Sequence, residues 1–382
     1  GVVYRGQLTV KEHGKPGAPI RLTCDPSWGD GYATLAGSEA VTGWTQGTEH
    51  PNIPEGDKVW KATLTFAPRT LWMIGPDGRT SRIPLARHPN WTSQPEDHKA
   101  EWFTWTNDPH PFNPREGFSG NDSKHLKGLD PDFVKGALIY SEFGWVMSTP
   151  YPTPVQNFDP SDGSVKFANW TGGGNASVIF RGMRYYLEDK PQYLDDPEGE
   201  FWFDRRAGGG GDLYLRLPDG IDPNSVRFEA GRLSDIILGS DVRHLEISGL
   251  DFKWTTQPWN LDTVAWDYRT QPFGVRPESE PACIRFWGNV EDVRIYRCEF
   301  RNAVMGIRMR ALKEGQAVRA VTIEDNWFQD LDVGAAHLTT GAGWGFAYPV
   351  GILDDIRIYR NYAANIGFRA PRSERGTTFD LQ

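Results

Sequence analysis

The sequence predicts an all-β chain, a right-handed parallel β-helix carrying an inserted β-rich domain. Three observations support this. The 382 residues include 42 glycines, 28 prolines and 16 tryptophans against 5 methionines, a composition of strands and turns with enough aromatic surface for a large core. No long segment shows the apolar spacing of an amphipathic helix. One strand motif recurs in the C-terminal third.

Residues 1–60 are expected to form the first coils. They read VYRGQLTV, then GKPGAPIRLTCDP, then ATLAGSEAVTGW, short alternating runs separated by Gly and Pro.

Residues 61–235 break that pattern and are expected to form the inserted domain. Strand candidates stand at 177–187, 199–204 and 212–217, with a glycine-rich turn at 207–211 supplying positive φ. Period two puts Glu200 and Asp204 on one face, which reads as an outward acidic edge. Trp102, Phe103, Trp105, Phe112 and Phe118 stand among Asp, Asn, His and Pro. Such a mixture suits either sugar stacking or the anchoring of a long loop.

Residues 236–382 are expected to be coils with long loops. VRHLEISGLDF (242–252), VEDVRIYRCEF (290–300), VRAVTIEDNWF (318–328) and LDDIRIYRNYA (353–363) align without gaps. Leu245, Val293, Val321 and Ile356 share a column, and Ile247, Ile295, Ile323 and Ile358 share another two residues on, so both face one core. Phe252, Phe300 and Phe328 form a third column. Asn326 and Asn361 are expected to take the left-handed corner between columns. Outward Arg297, Asp325 and Arg360 read as a charge ladder between neighbouring copies. Second strands are expected at 282–288, 303–310, 334–341 and 364–370, and intervals of 48, 28 and 35 residues leave room for protruding loops. Cys283 and Cys298 lie in strand-like runs and are expected to be buried free thiols.

These copies, with EISGLDF, IYRCEFRNAVMGIRMR and IEDNWFQDLDVGAAHL as the clearest runs, resemble the coils of carbohydrate-active right-handed parallel β-helix proteins, a group of glycoside hydrolases and polysaccharide lyases. The middle segment resembles the β-rich insert of such hydrolases, on Ala86-Arg87-His88-Pro89-Asn90 and on Gly199-Glu200-Phe201-Trp202-Phe203-Asp204, the latter with Phe201 where tryptophan is usual. The resemblance implies a secreted enzyme, extracellular or periplasmic, acting on a polysaccharide or oligosaccharide. No signal peptide is legible in the chain, which reads as a cytoplasmic protein, as a mature form whose leader has been removed, or as part of a longer protein.

Two loops are the expected cleft walls. Residues 253–281 hold Trp254, Trp259, Trp266, Tyr268 and Phe273 with Asp262, Asp267, Glu278 and Glu280, and residues 329–349 hold Asp330, Asp332, His337, Trp344 and Tyr348. Strands stack about 4.8 Å apart, so acids one coil apart approach the ~5 Å of a retaining glycosidase, and acids two coils apart the ~9.5 Å limit of an inverting one. Asp262, Asp267, Asp330, Asp332 and His337 are therefore the candidate catalytic groups. Trp259, Trp266, Glu278, Glu280, Arg308, Arg310 and Trp344 are the candidate substrate contacts. His337 is aligned with Ile307 or Ile284, where a structural histidine is the alternative. Arg308 and Arg310 with His337 also permit the second reading, β-elimination by a lyase, and a non-catalytic glycan-binding or adhesin β-helix is the third.

Neither a cofactor nor a metal is expected, since no EF-hand or glycine-aspartate repeat occurs. A net charge of −9 argues against nucleic acid, and a mean hydropathy of −0.55 with no run of ~18 apolar residues argues against a membrane partner. Residues 282–382 carry 13 basic and 12 acidic groups, whereas 1–281 carry 28 and 38, which weakens the lyase reading except at a local basic patch.

Overall fold

The computed structural model describes residues 2–25, 27, 29, 31–91, 101–106, 110–111, 118–142, 153–167, 178–179, 181–256, 281–311, 313–340, 351–367 and 378–381. Strands predominate among these residues, with one α-helical turn at Pro131–Val134 and short 3-10 turns at Gly56–Lys58, Pro191–Tyr193 and Pro223–Ser225. No helix among them is long and apolar enough to cross a membrane.

The repeated motif pairs with itself. Ile20–Thr23, Arg243–Ser248, Val290–Tyr296, Gln316–Glu324 and Gly351–Tyr359 form a five-stranded sheet, parallel throughout. Its register is the alignment of the copies: Leu245 opposes Val293, Val293 opposes Val321, and Val321 opposes Ile356. A ten-stranded parallel sheet takes the second strands. Its first panel runs from Val3–Arg5 through Ala33–Ala36 and Leu250–Lys253 to Tyr362–Ile366, and its second from Leu8–Val10 through Ile237–Ser240 and Ile284–Trp287 to Phe379–Leu381. Two long strands, Glu299–Arg310 and Trp327–Thr339, belong to both panels.

Between the sheets lies one apolar core that contains every column named above. Phe252, Phe300 and Phe328 stack at centroid spacings of 4.8 Å and interplanar angles of 6° and 9°, the repeat distance of the strands themselves. Cys283 and Cys298 are free and buried.

The asparagine expectation needs correction. Positive φ falls one residue earlier, at Gly249, Arg297, Asp325 and Arg360. Asn326 is instead a rung. Its Oδ1 accepts the Cys298 N–H at 2.9 Å, its Nδ2 donates to Ile295 O and to Asn361 Oδ1, and Asn361 repeats the pattern by donating to Ile323 O. A side-chain amide fits because each corner leaves one N–H and one C=O of the coil below without a ladder partner. The charge ladder forms in part: Arg360 grips Asp325 at 2.7 Å and also reaches Glu324, which Arg294 grips from the other side.

The middle segment folds as antiparallel sheets. Glu200–Arg205 and Gly211–Arg216 form the expected hairpin, with Gly208 and Gly209 at positive φ. Gly211–Arg216 then pairs with Val59–Leu64. Another sheet joins Ser38–Val41, Arg227–Gly231, Leu71–Ile74 and Thr80–Ile83, so strands on both sides of residue 60 share it. A seven-stranded sheet covers a separate core in which Trp105 stacks on Tyr185 at 3.9 Å and donates to Ser141. Trp105 is thus an anchor, and Phe103, stacked on His125 at 4.3 Å, is another. Glu200 is fully buried rather than on an acidic edge: Oε1 accepts the Arg87 N–H, bringing the two motifs of the segment face to face.

Candidate functional site

The second panel of the ten-stranded sheet presents an unusual outward row. Alternation along Ile284–Trp287, Glu299–Arg310 and Trp327–Thr339 sends Ile284, Ile307, Ala336 and their neighbours into the core. The residues between them face the other way. Register aligns Arg285, Arg308, His337 and Asp380 across four strands, and Trp287, Arg310 and Thr339 two positions further on.

His337 therefore does not replace an aliphatic. A bulge between Ala303 and Met305 lengthens the partner strand by one residue, so Ile307 opposes Ala336, and His337 stands beside Arg308. An outward row of this kind is ordinarily solvated, yet His337 is 1% exposed and Arg310 7%. Arg310 Nε donates to Thr339 Oγ1 at 2.8 Å. At the other end of the row Arg285 holds Asp235, with Nε at 2.7 Å, while Asp235 also accepts the Ala282 N–H. Burial pushes the Asp235 carboxyl above its ordinary range, and the Arg285 guanidinium pulls against that shift.

The antiparallel sheet of the middle segment closes one side. Arg82, on Thr80–Ile83, places Nη1 and Nη2 at 3.2 and 3.1 Å from the two carboxylate oxygens of Asp332. Its guanidinium lies 4.9 Å from the centre of the Trp72 ring. Asp332 is 1% exposed, and both of its oxygens accept hydrogen bonds, so a substrate would have to displace Arg82 to use it as an acid. Trp254 is buried in a small cluster with Ala36 and Trp72.

The other expected site residues fall differently. Asp330 takes positive φ at a coil corner and accepts from Asn365 Nδ2 at 2.9 Å, a position that serves the turn. Asp262, Asp267, Trp259, Trp266, Glu278, Glu280 and Trp344 lie outside the described residues. Arg308, Arg310 and His337 are brought together, with Asp332 five positions before His337 on the same strand. Sequence reasoning missed Arg285, Asp235, Arg82 and Asp380. The signal for Asp380 was present, because Phe379-Asp380-Leu381 repeats the apolar-polar-apolar triplet of Ile307-Arg308-Met309 and Ala336-His337-Leu338.

No group of three or more His, Cys, Asp or Glu side chains among the described residues is arranged to hold a metal ion. The row combines guanidinium, imidazole, hydroxyl and indole groups with the Asp235 carboxylate at one margin, a set able to hydrogen-bond hydroxyls and balance negative charge.

No protein-family model and no curated protein matches the sequence. Among solved structures, one named "Glycoside hydrolase" superposes with a TM-score of 0.68 at 13% identity, covering 97% of this chain and 65% of that one. A second, titled "The complex structure of XylC with xylose", gives a TM-score of 0.46 at 11% identity, covering 99% of this chain and 50% of that one. The chain thus spans less than two thirds of the length of either structure, and the first likeness is one of fold.

Proposed function

We propose that the protein is a carbohydrate-active enzyme of the glycoside hydrolase class, and that its active site is the outward row of the second panel. The observation that carries the reading is the in-register set Arg285, Arg308, His337 and Asp380, whose His337 is held out of solvent on a face that would otherwise be wet. The fold likeness to a structure named a glycoside hydrolase supports it. In this reading the two parallel sheets are faces of a right-handed β-helix formed by 1–60 and 236–382, with 61–235 inserted, and the protein is exported.

Hydrolysis needs a carboxyl to protonate the leaving oxygen and a carboxylate to attack or to activate water. Asp380, one strand from His337, is assigned to this pair. Its partner is sought between Asp262 and Asp267, since Arg82 engages both oxygens of Asp332. Arg308 and Arg310 hold hydroxyl or carboxylate groups of the sugar, and His337 hydrogen-bonds beside the scissile bond. Asp332 keeps Arg82 in place unless the substrate displaces it.

The test is activity on a panel of neutral and acidic polysaccharides. New reducing ends without an unsaturated product are expected, and Asp380→Asn should lower turnover by at least about 100-fold, the usual scale of general acid–base catalysis. Full activity in Asp380→Asn refutes the site.

The side-by-side Arg308 and His337 also favour a second reading, β-elimination from a uronate, with a base removing the C5 proton and guanidinium neutralising the carboxylate. Ultraviolet absorbance of an unsaturated uronate would identify it.

A further inference from the structure

The first panel of the ten-stranded sheet carries a different outward row. Register aligns Thr34, Asp251, Glu299, Trp327 and Tyr362 across five strands. The first members are the polar residues a strand commonly turns outward, with Asp251 buried at 5% exposure. Trp327 and Tyr362 are not: they are 41% and 49% exposed, with ring centroids 4.1 Å apart at an interplanar angle of 31°. Among the described residues Trp327 is the one tryptophan in the exposed class, whereas Trp44, Trp72, Trp105, Trp202 and Trp254 are buried.

We propose that Trp327 and Tyr362 form a glycan-binding platform, separate from the row of His337, that holds a neutral polysaccharide chain. Two large aromatic faces set side by side offer the flat apolar surface on which pyranose C–H faces stack. The surrounding groups argue for a neutral ligand. Glu299 is paired with Arg301, Asp251 with Lys253, and Arg360 with Asp325 and Glu324, so the charges along the platform are matched. A polyanion finds no local surplus of cations there, while hydroxyls find amide, carboxylate and guanidinium partners at the rim. The Trp327 Nε1–H donates to Gln329 Oε1 at 2.9 Å, which fixes the indole orientation before any ligand arrives.

The ligand class follows the proposed function, but the site does not depend on catalysis. The test is affinity electrophoresis through native gels containing soluble xylan, β-glucan or galactomannan, with polygalacturonate as the anionic control. Retardation by at least one neutral glycan is expected. Trp327→Ala and Tyr362→Ala should each weaken it at least about fivefold, the loss expected for one dominant aromatic contact, and Trp327→Phe should retain part of it.

If the wild type cleaves no glycan yet is retarded, and Trp327→Ala is not, the platform stands and the proposed activity fails. The platform is overturned if the wild type is retarded by no neutral glycan, if polygalacturonate alone retards it, or if both alanine variants bind unchanged. A fall in thermal midpoint with unchanged retardation also overturns it, because the aromatic pair is then only a cross-strand contact. Should Trp327→Ala fail to fold, Tyr362→Ala and Trp327→Phe still decide the question.

Discussion

His88 and Glu200, close to each other in the middle segment, make opposite contributions to stability as pH changes. The His88 ring is enclosed by Phe103 at 5.0 Å, Phe133 at 5.1 Å and Tyr193 at 5.8 Å. Burial, with the charges of His125 and Arg87 adding to it, pushes its pKa down to about 4. The unfolded chain takes up a proton near the ordinary histidine value while the native ring stays neutral, so this contribution is complete above ~6.5 and is lost as pH falls toward 4. Between pH 7 and 4.5 it amounts to about 2–3 kcal/mol, and His88→Phe, which keeps the aromatic packing, should reduce the acid loss in urea unfolding by that much. Glu200 works the other way. Burial, reinforced by the nearby Asp196 charge, raises its pKa well above the carboxylate range. Its native form holds the proton longer than the unfolded chain does, so stability is present at low pH and declines as pH rises. Glu200→Gln keeps an acceptor for the Arg87 N–H and should therefore gain stability over the wild type at pH 7 and lose that advantage at pH 4.

At the scale of the coil, the corner rungs and the aromatic stack hold the copies in register. Asn326 supplies one acceptor and two donor contacts inside the core, so Asn326→Ala leaves at least the Cys298 N–H and Ile295 O without partners. A loss of about 3 kcal/mol is expected in chemical denaturation. Asn326→Asp retains the Cys298 contact only, and should fall short of the wild type as well. Phe300 lies between Phe252 and Phe328, so Phe300→Ala should cost about 3–5 kcal/mol. How much of this could be read in advance depends on what each column says chemically. The Leu245 and Ile247 columns are apolar at period two, and their register was legible to the residue. The left-handed corners were not, because positive φ falls on Arg297 and Arg360, which no intrinsic preference marks, while the asparagines that do carry such a preference serve as rungs. The site was obscured by a single bulge. One extra residue between Leu331 and Gly334 moves His337 from alignment with Met309 to the side of Arg308, and a shift of one exchanges the inner and outer faces of a strand.

At the scale of the whole molecule, the junction between the middle segment and the parallel stack decides whether the second panel is walled. Arg82 and Asp332 are 250 residues apart in sequence, and no local pattern could pair them. The carboxylate is 1% exposed and the Arg82 side chain 12%, so the pair is shielded from solvent screening, and removing Arg82 leaves the Asp332 charge buried without its counter-ion. Arg82→Ala should lower unfolding stability by about 3–5 kcal/mol, whereas Arg82→Met with Asp332→Leu should recover much of that loss, since a well-packed apolar pair avoids the desolvation cost of both ions. Activity separates a stabilising role from a positioning one. If Arg82 serves only to hold the sheets together, the recovered double variant should regain turnover along with stability. If the Arg82–Asp332 pair also aligns the strand that carries His337, the double variant should stay folded while kcat remains low and KM changes little. The shared strand, on which Asp332 precedes His337 by five residues, favours the second outcome, and steady-state kinetics of the double variant beside its unfolding curve is the measurement that decides it.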